Sequence, residues 1–408
     1  MLSRPTSPRQ VALLIESSRA YGRGLLNGIA AYAQEQGNWS LRHQEMVINA
    51  DPPEWLADWN GDGILVRAET PAMIDAIRRS GIPAIDLRCL IDSDFMPGMD
   101  TDGVSVVRLA VDHLRDRGFT RFGFCGFGGA NYSERRLDEM QKYVAELGYS
   151  LVSYQSAGAT QATTFGAEQA GMLDQKGLTR WLSTLDYPIG VLACNDIRAQ
   201  QLLNACHATK LDVPDQVAVV GVDNDDVICP LCLPPLTSVE PNTHRIGYEA
   251  AAMLEGMMNG KRVEPGIKWV PARRIVVRRS TDAIPVDDAE FVIAYRYIRE
   301  NACRGISVQD VADAVPMSRR ALERRMRTYF DQSPADVIAA FRLERIKELL
   351  ENTSRPLKQI AKLTGFEHVE HMAKFFKKLV GTPAGQYRTK HRLASQVDPQ
   401  ENTDSSQQ

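Results

Sequence analysis

From Gln10 to about Val277, short uninterrupted apolar runs alternate with amphipathic stretches of helical period. Val11-Ala-Leu-Leu-Ile15 leads into Gly24-Leu-Leu-Asn-Gly-Ile-Ala-Ala-Tyr-Ala33, and the same alternation then repeats. The pattern predicts further strands at Gly63–Val66, Pro83–Asp86, Arg121–Cys125, Ile189–Ala193 and Val217–Val220. Helices are predicted over Ala72–Arg79, Val104–Arg117, Arg135–Leu147, Leu178–Thr184, Ile197–Ala208 and Thr243–Met258. Strands apolar on both faces and followed by helices imply parallel sheets covered on both sides, and about ten strands over this length divide into two sheets. Ligands of such folds gather at the carboxyl ends of the strands.

Near Thr281-Asp-Ala-Ile-Pro-Val-Asp-Asp288 the strand signals stop, and from Ala289 onward the periodicity is helical throughout. The chain thus reads as a two-lobed α/β core over 8–282, a linker at 283–289, an all-α domain over 290–392 and a polar tail at 393–408 that is expected to be disordered. Charge sharpens this division. The whole chain carries −3, yet Asp287–Arg392 holds 20 Lys and Arg against 14 Asp and Glu, leaving 28 against 37 elsewhere. A basic block on an acidic body is the asymmetry expected when one segment meets a polyanion.

No stretch reaches the roughly 18 to 20 apolar residues of a membrane helix, and Met1–Arg9 has no apolar run of an export signal. The seven cysteines are odd in number and scattered, which suits a reducing compartment, so a cytoplasmic protein without membrane contact is expected. Cys229 and Cys232 have CxxC spacing, but no second pair accompanies them, and they are not read as a metal or redox site.

Within the basic block, Val308, Val311, Ala312 and Val315 line one helical face, a break follows at Pro316-Met317, and Ser318 is placed to cap a second helix. There Leu322 and Met326 can pack inward, while Arg320, Arg324 and Arg327 share a separate face. A second unit follows: Leu357–Phe366 ends at Gly365, and His368–Leu379 is expected to bury Met372, Phe376 and Leu379. Ala335–Leu350 between them is long enough for a rigid spacer helix, so that two reading helices could enter successive major-groove segments about 34 Å apart.

Gly365-Phe366, Phe375-Phe376-Lys377-Lys378, Gly381-Thr382-Pro383 and Tyr387-Arg388 stand in the order and spacing of a known signature, and this domain resembles the arabinose-operon (AraC) type of DNA-binding domain. The resemblance implies a first recognition helix beginning near Ser318, with Arg319, Arg320, Arg324 and Arg325 or Arg327 toward DNA. It implies a second beginning near His368, with Val369, Glu370, His371 and Lys374 toward the groove. Lys377 is expected to meet phosphate. Pro316 departs from the family, which usually has Gly in the first turn, because proline cannot take a positive φ. His368 and His371 lack any accompanying carboxylate or cysteine cluster, so no metal site is expected.

In the core, polar side chains able to make paired hydrogen bonds to neighbouring hydroxyls follow the predicted strands: Ser17-Ser18-Arg19, Arg135-Arg136, Asn195-Asp196 and Asp223–Asp226. His113-Leu114 with Gly118-Phe119, Ala193-Cys194-Asn195-Asp196, Val220-Gly221-Val222-Asp223-Asn224 and Pro234–Val239 with Gly247 carry a second resemblance, to lactose/galactose repressors and periplasmic sugar receptors. By that resemblance Asn195, Asp223 and Arg136 would bind ligand hydroxyls, with Ser18, Arg19, Asp86 and Arg88 as further candidates. A sugar-receptor core in front of a double helix-turn-helix is similar, over nearly the whole chain, to the bacterial xylose-operon regulator family. This implies a sugar-responsive DNA-binding activator of pentose-utilisation genes, with D-xylose as ligand, a homodimer, promoter or operator half-sites, and RNA polymerase as a partner.

The alternative is an α/β enzyme acting on a sugar or nucleotide with an appended nucleic-acid module. Against it, Gly123–Gly129 lacks the spacing of a phosphate-binding loop, and Ala130-Asn131-Tyr132 does not suggest a helix N-terminus. No residues have the local context of a catalytic nucleophile, and neither catalytic residues nor a cofactor are expected.

Overall fold

A computed structural model describes residues 8–47, 50–156, 164–282 and 288–394. The chain divides into two units at 285/286. In the first unit, one six-stranded sheet contains β1 (Arg9–Leu14), β2 (Trp39–His43), β3 (Gly63–Val66), β4 (Ala84–Asp86) and β5 (Gly98–Thr101). The other contains β6 (Phe122–Phe127), β7 (Leu151–Ser156), β8 (Ile189–Ala193), β9 (Val217–Val222) and β10 (Thr237–Glu240). The chain then contributes β11 (Ile267–Val270) to the edge of the first sheet beside β5, and β12 (Arg274–Val276) to the second beside β10.

The order is β11-β5-β4-β3-β1-β2 in one lobe and β12-β10-β9-β8-β6-β7 in the other. All pairs are parallel except β12 on β10, an antiparallel edge that the sequence pattern did not anticipate. β3, β8 and β9 are buried along their full length, as continuous apolar runs between two helical layers must be. The strands missed by the pattern are short or sit at edges, where one face is polar: β2 has four exposed residues and β7 two.

The helices of this unit are α1 (Ala20–Gln36), α2 (Pro71–Ser80), α3 (Gly103–Asp116), α4 (Asn131–Glu146), α5 (Thr164–Leu173), α6 (Gln175–Leu182), α7 (Asp196–Ala208), α8 (Ile228–Leu231) and α9 (Thr243–Met258). Helix α4 starts at Asn131, four residues before the expected Arg135, and so corrects the reading that Ala130-Asn131-Tyr132 opens no helix. No side chain caps it, which is why the usual sequence signal was missing. Helix α9 returns to the first lobe and packs on α1, where a Cβ at Gly247 would lie 2.1 Å from the Leu25 carbonyl oxygen.

The second unit is helical: α10 (Ala289–Asn301), α11 (Val308–Ala314), α12 (Arg319–Phe330), α13 (Pro334–Asn352), α14 (Leu357–Leu363), α15 (Val369–Val380) and α16 (Ala384–Ala394). Of the expected linker, 283–287 lie outside the described residues, while Asp288 already caps α10 by accepting from Phe291 N at 3.1 Å. Most of the expected tail, 395–408, also lies outside them. Leu322, Met326, Met372 and Phe376 are fully buried as expected, but Leu379 is 49% exposed because it falls on the outer face of α15.

The two helix-turn-helix turns are built differently. Between α11 and α12 the backbone stays extended at Val315 (φ −126°), and Met317 N donates to Val315 O at 2.7 Å. No residue there has positive φ, so Pro316 fits without a left-handed position. Between α14 and α15 the turn uses Gly365 at φ +79°, and a Cβ there would lie 2.5 Å from Gly305 N. Gly365→Ala is expected to destabilise this unit by at least ~1–2 kcal/mol, the cost of left-handed backbone for a residue with a Cβ, with the contact to Gly305 adding to it. A urea titration of the full chain reads this as a lowered midpoint; an unchanged curve would contradict the close packing.

Candidate functional site

The crevice between the lobes is a cavity of about 430 Å³, in the size range of small-molecule sites. Its walls come from the carboxyl ends of the strands: Glu16 and Arg19 beyond β1, Arg67 and Glu69 beyond β3, Arg88 beyond β4, Asp100 at the end of β5, Asn195 beyond β8 and Asp223 beyond β9. Of the expected ligand residues, Arg19, Arg88, Arg136, Asn195 and Asp223 therefore line one cavity.

Ser18 and Asp86 do not line it. Ser18 is exposed outside it. Asp86 is buried and its carboxylate accepts from the backbone N–H groups of Ala68 (3.2 Å), Arg88 (2.9 Å) and Cys89 (3.1 Å), so it is engaged in fixing the loop that carries Arg88.

The charges in the cavity are largely paired. Arg67 binds Glu16, Arg88 lies 3.1 Å from Glu69, and Arg19 reaches across from the first lobe to Glu168 of α5 at 2.8 Å. Arg136 donates to the Cys194 carbonyl. Tyr132 donates to Glu168 at 2.8 Å and accepts from Asn195 Nδ2 at 3.0 Å, and the Arg88 and Arg136 guanidinium groups each stand 5.4 Å from its ring. Asn195 Oδ1 also caps α7 by accepting from Arg198 N at 2.9 Å. The lobes are further tied by Arg135, which donates to the Cys89 carbonyl at 2.9 Å and lies over Trp269.

Asp223 differs. No hydrogen-bond donor among the described residues reaches its carboxylate. Burial between the lobes pushes its pKa up from the ordinary value, while Arg136 and Arg67 act in the opposite direction. Its neighbour Asp196 is also pushed up, by burial and then by the Asp223 charge. A carboxylate without a hydrogen-bond donor, beside arginines that are each already engaged by a carboxylate or a carbonyl, suits a ligand that donates hydroxyl hydrogen bonds better than an anion.

Sequence reasoning missed Glu16, Tyr21, Arg67, Glu69, Asp100, Tyr132, Glu168 and Trp269. Glu16, Arg67 and Glu69 follow recognised strands and were within reach of the strand-end rule. Asp100 and Trp269 lie on β5 and β11, strands that the pattern did not reveal, and Glu168 comes from a helix with no signal of its own.

In the helical unit, Ser318 caps α12 by accepting from Ala321 N at 3.3 Å. Arg319, Arg320, Arg324 and Arg327 are exposed, with Arg319 3.0 Å from Glu323. Arg325 is instead held by Asp288 (2.9 Å) and Glu290 (3.1 Å), so it serves the packing of α10 on α12 rather than the outer face. On α15, His368, Glu370, His371, Lys374 and Lys377 are exposed, whereas Val369 is half-buried against the core of the second helix-turn-helix. His368 provides no side-chain cap; its ring stands 5.4 Å from that of His371 at an interplanar angle of 88°. No group of three or more metal-ligating side chains occurs among the described residues. The 19-residue α13 spans about 28 Å at 1.5 Å per residue and lies between the two helix-turn-helix segments.

A two-lobed receptor for a small polar ligand joined to a double helix-turn-helix defines a ligand-responsive DNA-binding regulator. The comparisons agree: residues 111–281 match a periplasmic binding protein-like domain and 311–390 a helix-turn-helix domain. Over 378 residues the chain is 30% identical to the xylose operon regulatory protein of Haemophilus influenzae, covering 90% of this chain and 95% of that one. It is 29% identical to the protein of the same name from Escherichia coli K12, covering 94% and 97%. A solved structure of the xylose-binding transcription activator xylR superposes with a TM-score of 0.75 at 27% identity, covering 95% of this chain and 99% of that one. The chain belongs to the family of xylose operon regulatory proteins, sugar-responsive transcription regulators.

The raised pKa of Asp223 has a sign that can be tested. Burial raises the carboxyl's pKa in the folded chain, so this group's contribution to stability falls as pH rises from its ordinary value, 3.8, through its raised one. A ligand hydroxyl is held more strongly by the ionised form, so binding should weaken as pH is lowered from 7 toward 4, with an apparent midpoint above 3.8. Calorimetric titration of a pentose across this range should show the trend, and Asp223→Asn should bind weakly without it. A flat profile in the native chain would oppose Asp223 as the acceptor.

Proposed function

We propose that the chain binds D-xylose in the interlobe cleft and, as a cytoplasmic homodimer, activates pentose-utilisation genes by gripping promoter half-sites near RNA polymerase. The observation that carries this reading is the convergence of Asn195, Arg136 and an Asp223 carboxylate without a hydrogen-bond donor in a cavity where Arg19, Arg67 and Arg88 are each paired with a glutamate. The names of the relatives, xylose operon regulatory protein and xylose-binding transcription activator, supply the sugar. Those relatives are named as regulators and not as enzymes. No helix among the described residues is long and apolar enough to cross a membrane.

DNA binding divides between the two exposed faces. Arg320, Arg324 and Arg327 recur at i, i+4 and i+7 on α12 and give long cationic forks that suit guanine edges and phosphates. On α15 Glu370 supplies an acceptor for a cytosine amino group, and Lys374 and Lys377 supply charge. The sugar acts on this grip only through a difference in its affinity for two arrangements of the protein.

Isothermal titration with a panel of pentoses and hexoses should find D-xylose the tightest ligand, and Asp223→Ala and Asn195→Ala should abolish its binding. Retained affinity in both variants would refute the site. Arg320→Ala or Arg324→Ala should cost ~1–3 kcal/mol on specific DNA, whereas Lys377→Ala should weaken all sequences and flatten the salt dependence. Equal losses on specific and random duplexes for the two arginine variants would rule out base reading.

A further inference from the structure

Arg278 sits where the core ends, and neither sugar contact nor DNA contact accounts for it. Its Nη2 donates to Asn224 Oδ1 and its Nη1 to the Leu236 carbonyl, each at 2.8 Å. Its backbone N–H donates to Thr237 Oγ1 at 2.8 Å, and that hydroxyl donates to the Arg278 carbonyl at 2.9 Å. One side chain thus joins the turn after β9 to the stretch that follows β12.

The turn is the one that presents the ligand carboxylate. Asp223 and Asn224 both hold positive φ, +112° and +50°. Asn takes the left-handed region more readily than most residues with a Cβ, but φ +112° at Asp223 lies outside it and needs support from its surroundings. Here Asn224 N donates to Ser238 Oγ at 3.0 Å, Asp225 N donates to the buried Asp196 at 2.7 Å, and Arg278 holds the Asn224 amide from the outside. A sugar hydroxyl pulling on Asp223 therefore acts on a turn whose next residue is fastened to Arg278.

The stretch from Arg278 to Asp282 is the core's exit toward the DNA-binding unit, and it is closely fitted to the same strands. Ser280 and Thr281 are fully buried. Ser280 Oγ donates to the Val219 carbonyl of β9 at 2.6 Å and accepts from Thr237 N of β10 at 2.8 Å. Thr281 Oγ1 lies 2.8 Å from both Thr237 Oγ1 and His113 Nε2. The strand that leads into Asp223 and the segment that leaves for the DNA-binding unit share this polar seam, and Arg278 bridges its two ends.

We propose that Arg278 is a positioning residue for sugar control: it couples the Asp223–Asn224 turn to the exit stretch, so that occupancy of the cleft is transmitted to the DNA-binding unit. This rests on the reading of the cleft as a sugar site and of α12 and α15 as DNA readers. The planar guanidinium suits the role because its fixed fork can hold a backbone carbonyl and a side-chain amide at once.

The test uses the full chain, D-xylose, and a duplex selected by the native chain from a random pool. Sugar affinity is measured by calorimetry, and DNA affinity by fluorescence anisotropy with and without saturating xylose. In the native chain xylose should change DNA affinity by about 5-fold to 150-fold. Arg278→Gln and Asn224→Gly should each keep sugar affinity and sugar-free DNA affinity within about threefold, yet reduce the xylose effect to below about twofold. The double variant should be no worse than either single one, since both remove the same link. Should Arg278→Gln fail to fold, Asn224→Gly carries the test, because glycine accepts the positive φ and only the amide is deleted. A full xylose effect in the variants would overturn the proposal. So would a loss of sugar affinity in step with the loss of response, because Arg278 would then merely support the pocket. A native chain that binds no pentose would overturn the sugar reading itself, and the proposal with it.

Discussion

A carboxylate taken out of water must find donors, and Asp196 is the place where this requirement shapes the receptor. It sits at the first turn of α7, almost wholly buried, and accepts from Ser238 Oγ (2.6 Å), Asp225 N (2.7 Å) and Cys229 Sγ (3.3 Å). Those donors come from β10, from the turn after β9 and from α8. Meeting the demand of one buried group therefore fixes the loop on which Asp223 stands and leaves Asp223 itself as an acceptor without a donor. Gly221 on β9 leaves room for this, since a Cβ there would lie 2.2 Å from Asp196 Oδ1.

The rest of the cleft follows the same rule with opposite charges. Each buried or half-buried arginine is answered by a carboxylate or a carbonyl, and one of these pairs, Arg19 with Glu168, crosses between lobes. The two lobes therefore face each other across the cleft with little uncompensated charge, and their polar side chains are held in set directions by these partners. A difference in sugar affinity between lobe arrangements worth ~1–3 kcal/mol is enough to alter a second site's affinity substantially.

The DNA-binding unit solves a different problem, which is to hold short helices rigid on small cores. Leu322 and Met326 anchor α12, while Met372 and Phe376 anchor α15, and these apolar residues are fully buried. The outward faces stay cationic because little else competes for them. Arg325 shows the limit of that freedom: a carboxylate from α10 is close enough to claim it. The first turn closes with an extended Val315 before Pro316 and the second with a left-handed Gly365, so one motif is reached by two backbone routes.

By itself the sequence determined the two parallel-sheet lobes, the helical basic unit with its two helix-turn-helix segments, and the position of Asn195 and Asp223 at strand ends. These are properties of local period, charge density and signature spacing, and α9 and β8 have the bounds that the pattern predicted. Only the tertiary structure decided which polar residue stays available. Asp86 and Asp223 look alike at the ends of apolar strands, yet three backbone donors hold one and, among the described residues, none reaches the other. Arg19 and Arg325 look like free cations in the sequence, yet each is half-buried and claimed by an acidic residue of another segment, Glu168 and Asp288. Periodicity reports the face on which a side chain stands; the partner that neutralises it can lie more than a hundred residues away, where no local pattern reaches.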